Sequence, residues 1–128
     1  MIHGRSLVRG LLAAILITAS LGAGQTPEKA VTIEGYVLDS ACAFLKNLKK
    51  PVSAECAAAC ARAGSPLVIL ADDGAIYWPI SSAMPATGQN ERLMKFAGRK
   101  VIAGGKSYDR GGSHALVIEK IEAAKDAR

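Results

Sequence analysis

The residues whose type and spacing could do chemistry lie in one stretch. All three cysteines of the 128-residue chain fall between Asp39 and Gly64. The stretch reads Asp39-Ser40-Ala41-Cys42, a short basic loop, then Ser53-Ala54-Glu55-Cys56-Ala57-Ala58-Ala59-Cys60-Ala61-Arg62-Ala63-Gly64. Three chemistries are open to such a set. The first is structural: a disulfide from Cys42 to Cys56 or Cys60 closes a loop of about fifteen residues and removes roughly 3 kcal/mol of denatured-state freedom. A bridge between Cys56 and Cys60 is a poor fit, because helix neighbours one turn apart hold their Cβ atoms about 5–6 Å apart and a disulfide needs about 3.8 Å. One helix thiol is therefore left over. The second is a soft-metal site, in which three thiolates hold copper or zinc with His114, Met84 or Met94 as a further ligand. The third is thiol–disulfide redox work by Cys56 and Cys60, with Arg62 or Lys50 as the cationic neighbour that lowers a thiol's pKa. Covalent haem is excluded, since Ala61 follows Cys60 where the attachment motif needs histidine.

Other chemistry is thin. Beyond the leader, His114 is the only histidine, and it stands beside a glycine turn. Tyr77 and Trp78 are consecutive in a strand-like run and must face opposite sides, so one fills the core and the other is available as a ligand surface. Arg110-Gly111-Gly112-Ser113 reads as a hairpin turn, and Asp39 as a cap or a support for Cys42. No serine–histidine–acid arrangement, phosphate-loop glycine pattern or histidine–glutamate zinc motif occurs. The expectation is a non-catalytic module.

The elements that position the cysteines are well marked. Ser53 suits a helix N-cap, Glu55 the first turn and Arg62 the last; the alanines favour helix, and Gly64 and Pro66 end it. Cys56 and Cys60 then share one face. Ahead of that helix, Val31-Thr32-Ile33-Glu34-Gly35-Tyr36-Val37-Leu38-Asp39 alternates as a half-buried strand, with Gly35 marking a bend or bulge. After it come the strand Pro66–Ala71, the turn Asp72-Asp73-Gly74, and the strand Ala75–Ile80, whose Pro79 pushes its far end to a sheet edge. A loop over Ser81–Gln89 leads to a short helix capped by Asn90, ended by Gly98, with Leu93, Met94 and Ala97 inward. Two strands, Arg99–Tyr108 and Ser113–Ile121, follow, and Gly104-Gly105 permits a strong curl in the first. Setting the cysteine helix aside, the order of three strands, a helix and a hairpin is that of the OB-fold, a small five-stranded barrel. The expectation is a mainly β domain with two short helices, the cysteine helix lying between strands 1 and 2. The alternative is an open antiparallel sheet with helices on one side.

The first 24 residues read as a secretory signal peptide: Arg5 and Arg9 in a basic head, an apolar run from Leu11 to Leu21, and the small residues Gly22, Ala23 and Gly24 at the exit. The run is too short for a membrane anchor, which needs about 18 or more apolar residues. Residues 25–30 would be a flexible leader, 31–122 the barrel domain and 123–128 a loose tail, in the periplasm or secreted. Without Arg5 and Arg9 the formal charge of +5 becomes +3, and the remaining basic residues form no stripe beyond a loop cluster at Lys46, Lys49 and Lys50. Nucleic acid is not an expected partner.

The motifs Gly35-Tyr36-Val37-Leu38-Asp39-Ser40-Ala41-Cys42, Cys56-x-x-x-Cys60, Gly64-Ser65-Pro66-Leu67, Gly74-x-Ile76-Tyr77, Gly98-Arg99-Lys100-Val101 and Ala115-Leu116-Val117-Ile118 span the chain beyond its leader. Together they resemble an uncharacterised family of small exported bacterial proteins with an OB-like barrel. The resemblance implies fold and export and names no reaction. Its members often carry a histidine shortly before the second cysteine, where this chain has Lys49-Lys50-Pro51-Val52-Ser53.

Overall fold

The structure, a computed structural model, describes residues 27–46 and 53–125. The proposed signal segment, Lys49, Lys50 and the last three residues lie outside that range. Five strands close into a barrel: β1 (Lys29–Asp39), β2 (Leu67–Ala71), β3 (Ile76–Pro79), β4 (Lys100–Arg110) and β5 (Ser113–Ala123), hydrogen-bonded in the order β1-β2-β3-β5-β4 and back to β1. All pairs are antiparallel except β3 with β5. This is the OB-fold arrangement. Helices α1 (Ser40–Leu45) and α2 (Ala54–Arg62) lie between β1 and β2, while α3 (Asn90–Leu93) and a 3₁₀ turn (Met94–Phe96) lie between β3 and β4.

Closure depends on two glycines that allow backbones to approach. Gly35 pairs with Ala71 of β2 on one side and Val101 of β4 on the other. A Cβ there would stand 2.3 Å from the Leu70 carbonyl oxygen. At Gly105 it would stand 2.0 Å from the carbonyl oxygen of Val117, and the β4–β5 register shifts between Gly104 and Gly105. The bulge supplies the curl that a small barrel needs. Inside, Ile33, Val37, Ile69, Val101, Ala103, Leu116 and Ile118 meet Leu93 and Phe96, which plug the barrel from the α3 side. Leu93 is fully buried, worth about 1.5–3 kcal/mol relative to an exposed side chain.

Several expectations need correction. The short basic loop after β1 begins as a helix, because Asp39 caps it: the carboxylate Oδ2 accepts the Cys42 N–H at 3.1 Å. There are thus three short α-helices, one more than expected. Pro79 is not at an edge; it lies in the β3–β5 seam opposite Leu116, where the next residue, Ile80, donates its N–H to Leu116. Closure leaves a proline in the seam without an edge to occupy. The leader is shorter than expected, since β1 starts at Lys29 and Glu28 already meets Lys106 Nζ at 2.9 Å and the Tyr108 hydroxyl at 2.9 Å. The tail also starts later, because β5 runs to Ala123 and Ala124 donates to the Lys100 carbonyl. Among the described residues no helix is long and apolar enough to cross a membrane.

Candidate functional site

The site forms at the barrel end where β1 stops and β2 starts. Asp39 pairs with Leu67 in the last register position, and the Ser40 N–H donates to the Pro66 carbonyl at 2.8 Å. Helix α2 is seated on that junction at both ends. At its start the Ser53 hydroxyl accepts the Cys56 N–H at 3.1 Å, as its residue type suggested. Near that start, Gly98 (φ +72°) comes so close that a Cβ would lie 2.5 Å from Ala54 Cα. At its finish Gly64 takes φ +102° and the Ser65 N–H donates to the Cys60 carbonyl at 3.0 Å.

Asn90 ties this end together. It is not the cap of α3, a position taken by Gln89 without a side-chain bond. Its Oδ1 accepts the Leu67 N–H at 2.8 Å, and its Nδ2 donates to the carbonyls of Ser65 at 2.8 Å and Ala61 at 3.2 Å. One amide therefore joins the last turn of α2, the linker and the first residue of β2. A primary amide offers both the acceptor and the donors that these backbone groups use.

Asp39 is the shared neighbour of the Cys42 and Cys60 thiols. It is wholly buried. Oδ2 is engaged by the Cys42 N–H and, at 3.5 Å, by the Ser65 hydroxyl. Oδ1 has no hydrogen-bond partner. An interior oxygen left unmet in this way costs about 1–3 kcal/mol. Cys42 is buried on α1, whereas Cys56 and Cys60 on α2 are half-buried, and all three are free thiols. Hydrogen bonding to Asp39 and then burial push the Cys42 thiol up to about 11. The Cys60 thiol is raised by burial first, then by the charges of Asp39 and Cys56 and by hydrogen bonding to both. Each anion in this corner thus disfavours the next one.

The expected disulfide is not formed: no pair of sulfurs is at bonding distance. The capped α1 helix withholds the link, since it carries Cys42 within a buried turn against Asp39 instead of in an extensible loop. Cys42 and Cys60 nonetheless share one carboxylate neighbour, and Cys56 stands beside Cys60. The other nominated ligands are engaged elsewhere. His114 Nδ1 lies 2.6 Å from Asp109 Oδ1, and its ring is 5.3 Å from Tyr77. Met94 packs against the apolar core, and Met84 is 85% exposed. Tyr77 leans on the core, while Trp78 faces Phe44 of α1 at 6.1 Å between ring centroids, so Trp78 reports on the seating of the cysteine-bearing α1. Asp39 is the site residue that sequence reasoning left in a supporting role. Its position one cap ahead of Cys42 was the available signal.

Among the described residues, no group of three or more His, Cys, Asp or Glu side chains is placed to hold a metal ion. The contacts that raise Cys42 and Cys60 place both thiols beside Asp39. A groove of about 390 Å³ lined by Val31, Glu34, Asp72, Asp73 and Tyr77 among others does not include the thiols. The chain matches no protein-family model, no curated protein and no solved structure, so its chemistry is read from this corner alone.

Proposed function

We propose that this domain is an exported, non-catalytic binding module that captures a soft metal ion between Cys42, Cys56 and Cys60. The observation that carries the reading is that two unbridged cysteines from different helices, Cys42 and Cys60, stand beside the fully buried Asp39, with the third, Cys56, beside Cys60. The backbone supports it independently of the sulfurs: Ser65 bonds the Cys60 carbonyl with its N–H and Asp39 with its hydroxyl, which couples the α2 end to the carboxylate. Thiols held protonated beside an anion gain most from a cation that takes the place of their protons. Thiolate sulfur suits copper(I) and zinc(II). Export is supported by the N-terminal residues, whose basic head, apolar run and small-residue exit have the order of a cleaved signal.

A second reading, a thiol–disulfide redox protein using Cys56 and Cys60, is favoured by the hydrogen-bonding contact between those two side chains. The raised Cys60 weighs against it, because attack on a disulfide needs the thiolate. A titration separates the two. The reduced domain is mixed with zinc(II), cadmium(II) and copper(I) under competition from a chelator, and sulfur-to-metal charge-transfer absorbance is followed. One equivalent should bind, and the triple variant Cys42→Ser, Cys56→Ser, Cys60→Ser should not bind it. Equal behaviour of wild type and triple variant would remove the metal reading, and rapid reaction of Cys60 with a small disulfide at neutral pH would favour the redox one.

A further inference from the structure

We infer that the barrel mouth opposite the cysteines is a second binding site, for a primary alkylammonium group. The strand directions gather the described helices at one end. β1 and β3 finish there, β2 and β4 start from it, and α1, α2, α3 and the 3₁₀ turn fall in the connections between them. The other end carries, among the described residues, the start of β1 and the turns that join β2 to β3 and β4 to β5. No helix among those residues plugs it, and the mouth of a barrel is a common seat for a small ligand. A groove of about 390 Å³ opens there, within the size that holds small molecules.

The groove has an apolar floor and an acidic rim. Burial alternates along β1, so Val31 and Ile33 point inward, and Ala71 and Tyr77 complete the floor. The rim carries Glu34, Asp72 and Asp73. Lys100 Nζ is held by Glu34 Oε1 at 3.0 Å and Asp72 Oδ2 at 2.9 Å. One ammonium for three carboxylates leaves negative charge in excess at this mouth, on a chain whose formal charge is +5. Asp73 is fixed by its turn, where Oδ1 accepts the Ala75 N–H at 2.9 Å. Burial first, and then the charges of Asp73 and Asp109, hold the Tyr77 phenol above its usual range, which sets both carboxylates near that ring. Across the β3–β5 seam the His114 ring lies 5.3 Å from Tyr77, and its Nδ1 is 2.6 Å from Asp109 Oδ1. An aromatic ring flanked by carboxylates attracts a cation, and the floor beside it suits a short alkyl stem. An anion would be repelled. A metal ion is not the occupant, because no three His, Cys, Asp or Glu groups among the described residues are placed to hold one.

The test titrates n-butylammonium into the domain, with n-butanol as its uncharged counterpart and Nα-acetyl-lysine methylamide as the amino-acid form of the same group. NMR follows the Tyr77 ring and the Val31 and Ile33 methyls. Saturable shifts at these residues are expected with n-butylammonium. The alcohol should bind at least about threefold more weakly, the size of one exposed ion pair or cation–π contact. Tighter binding of n-butylammonium than of the lysine derivative assigns the site to a free amine, and the reverse order assigns it to a lysine side chain. Asp73→Asn keeps an oxygen for the Ala75 N–H and should weaken n-butylammonium about three- to fivefold. Tyr77→Leu keeps apolar bulk, removes the ring and should weaken it by about threefold. Absence of saturable shifts, equal binding of alcohol and ammonium, or full affinity in Asp73→Asn would overturn the inference. Should Tyr77→Leu not fold, Asp73→Asn decides alone, since Asp73 is exposed on its turn. The metal reading stands apart from these results, because the cysteines lie at the other end of the barrel.

Discussion

Replacing Asn90 with alanine should destabilise the domain and loosen the cysteine corner at once. The substitution deletes one accepted and two donated hydrogen bonds, at 2.8, 2.8 and 3.2 Å. The Leu67 N–H belongs to a buried residue and is left without its acceptor, while the Ser65 carbonyl loses a donor in a half-buried position and the Ala61 carbonyl keeps the Gly64 N–H. Orphaning a buried donor costs about 1–3 kcal/mol, and a partly solvated bond is worth about 0.5–1.5 kcal/mol before water compensates. The net loss should be about 2–3 kcal/mol, a large share of the roughly 5–15 kcal/mol that holds a domain folded. Asn90→Asp should cost at least as much, because it sets a carboxylate oxygen against two carbonyls. Urea unfolding followed through Trp78, the only tryptophan, is the assay. The midpoint should fall with the slope unchanged, since the native fold and the area it exposes on unfolding are retained. A loss below about 0.5 kcal/mol, the size of an ordinary surface substitution, would mean that this amide does not join α2 to β2 as described.

Two other outcomes follow from the same packing. Gly105→Ala should prevent normal closure of β4 on β5, because the new methyl would overlap the Val117 carbonyl; far-UV circular dichroism and gel filtration of the variant should show an unfolded or aggregated chain, whereas Gly74→Ala, with open space around its turn, should cost only the strain of its φ of +89°. Stability should also fall on the alkaline side. The folded Cys42 thiol is raised from 9.0 to about 11, so the folded state holds its proton where the unfolded chain has lost it. Stability from this group is complete below pH 9 and is lost as pH rises through about 11. Denaturation curves of wild type and Cys42→Ser across that window should converge toward high pH, and parallel curves would refute the link between Asp39 and Cys42.

Much of the fold could be read from residue types because local and global signals agree. The Ser53 cap, the alanine run, Gly64 and Pro66 act within one helix, so α2 emerges within a residue of its expected bounds. The alternation of β1 and the glycine pair of β4 encode barrel strands for the same reason. What was not legible depends on partners distant in sequence. Asn90 looks like a cap on composition, yet Leu67, Ser65 and Ala61 compete for its amide and win, and these partners lie 23 to 29 residues away in sequence. Phe96 escaped notice as a core residue because a 3₁₀ turn shifts it off the helical face that selected Leu93, Met94 and Ala97. The helix at Ser40 was hidden by its brevity; six residues carry little periodicity, and Asp39 is its only strong signal. The carboxylate beside Cys42 and Cys60 was not anticipated as a site residue, because burial of Asp39 is a property of the closed barrel end.

The central claim, that Cys42, Cys56 and Cys60 act together as one ion-holding site, is tested most directly by native mass spectrometry of the reduced domain with zinc(II) supplied. The account predicts a one-to-one zinc adduct, absent when any one of the three cysteines is replaced by serine. An adduct-free spectrum, or an adduct that survives each serine replacement undiminished, would contradict it.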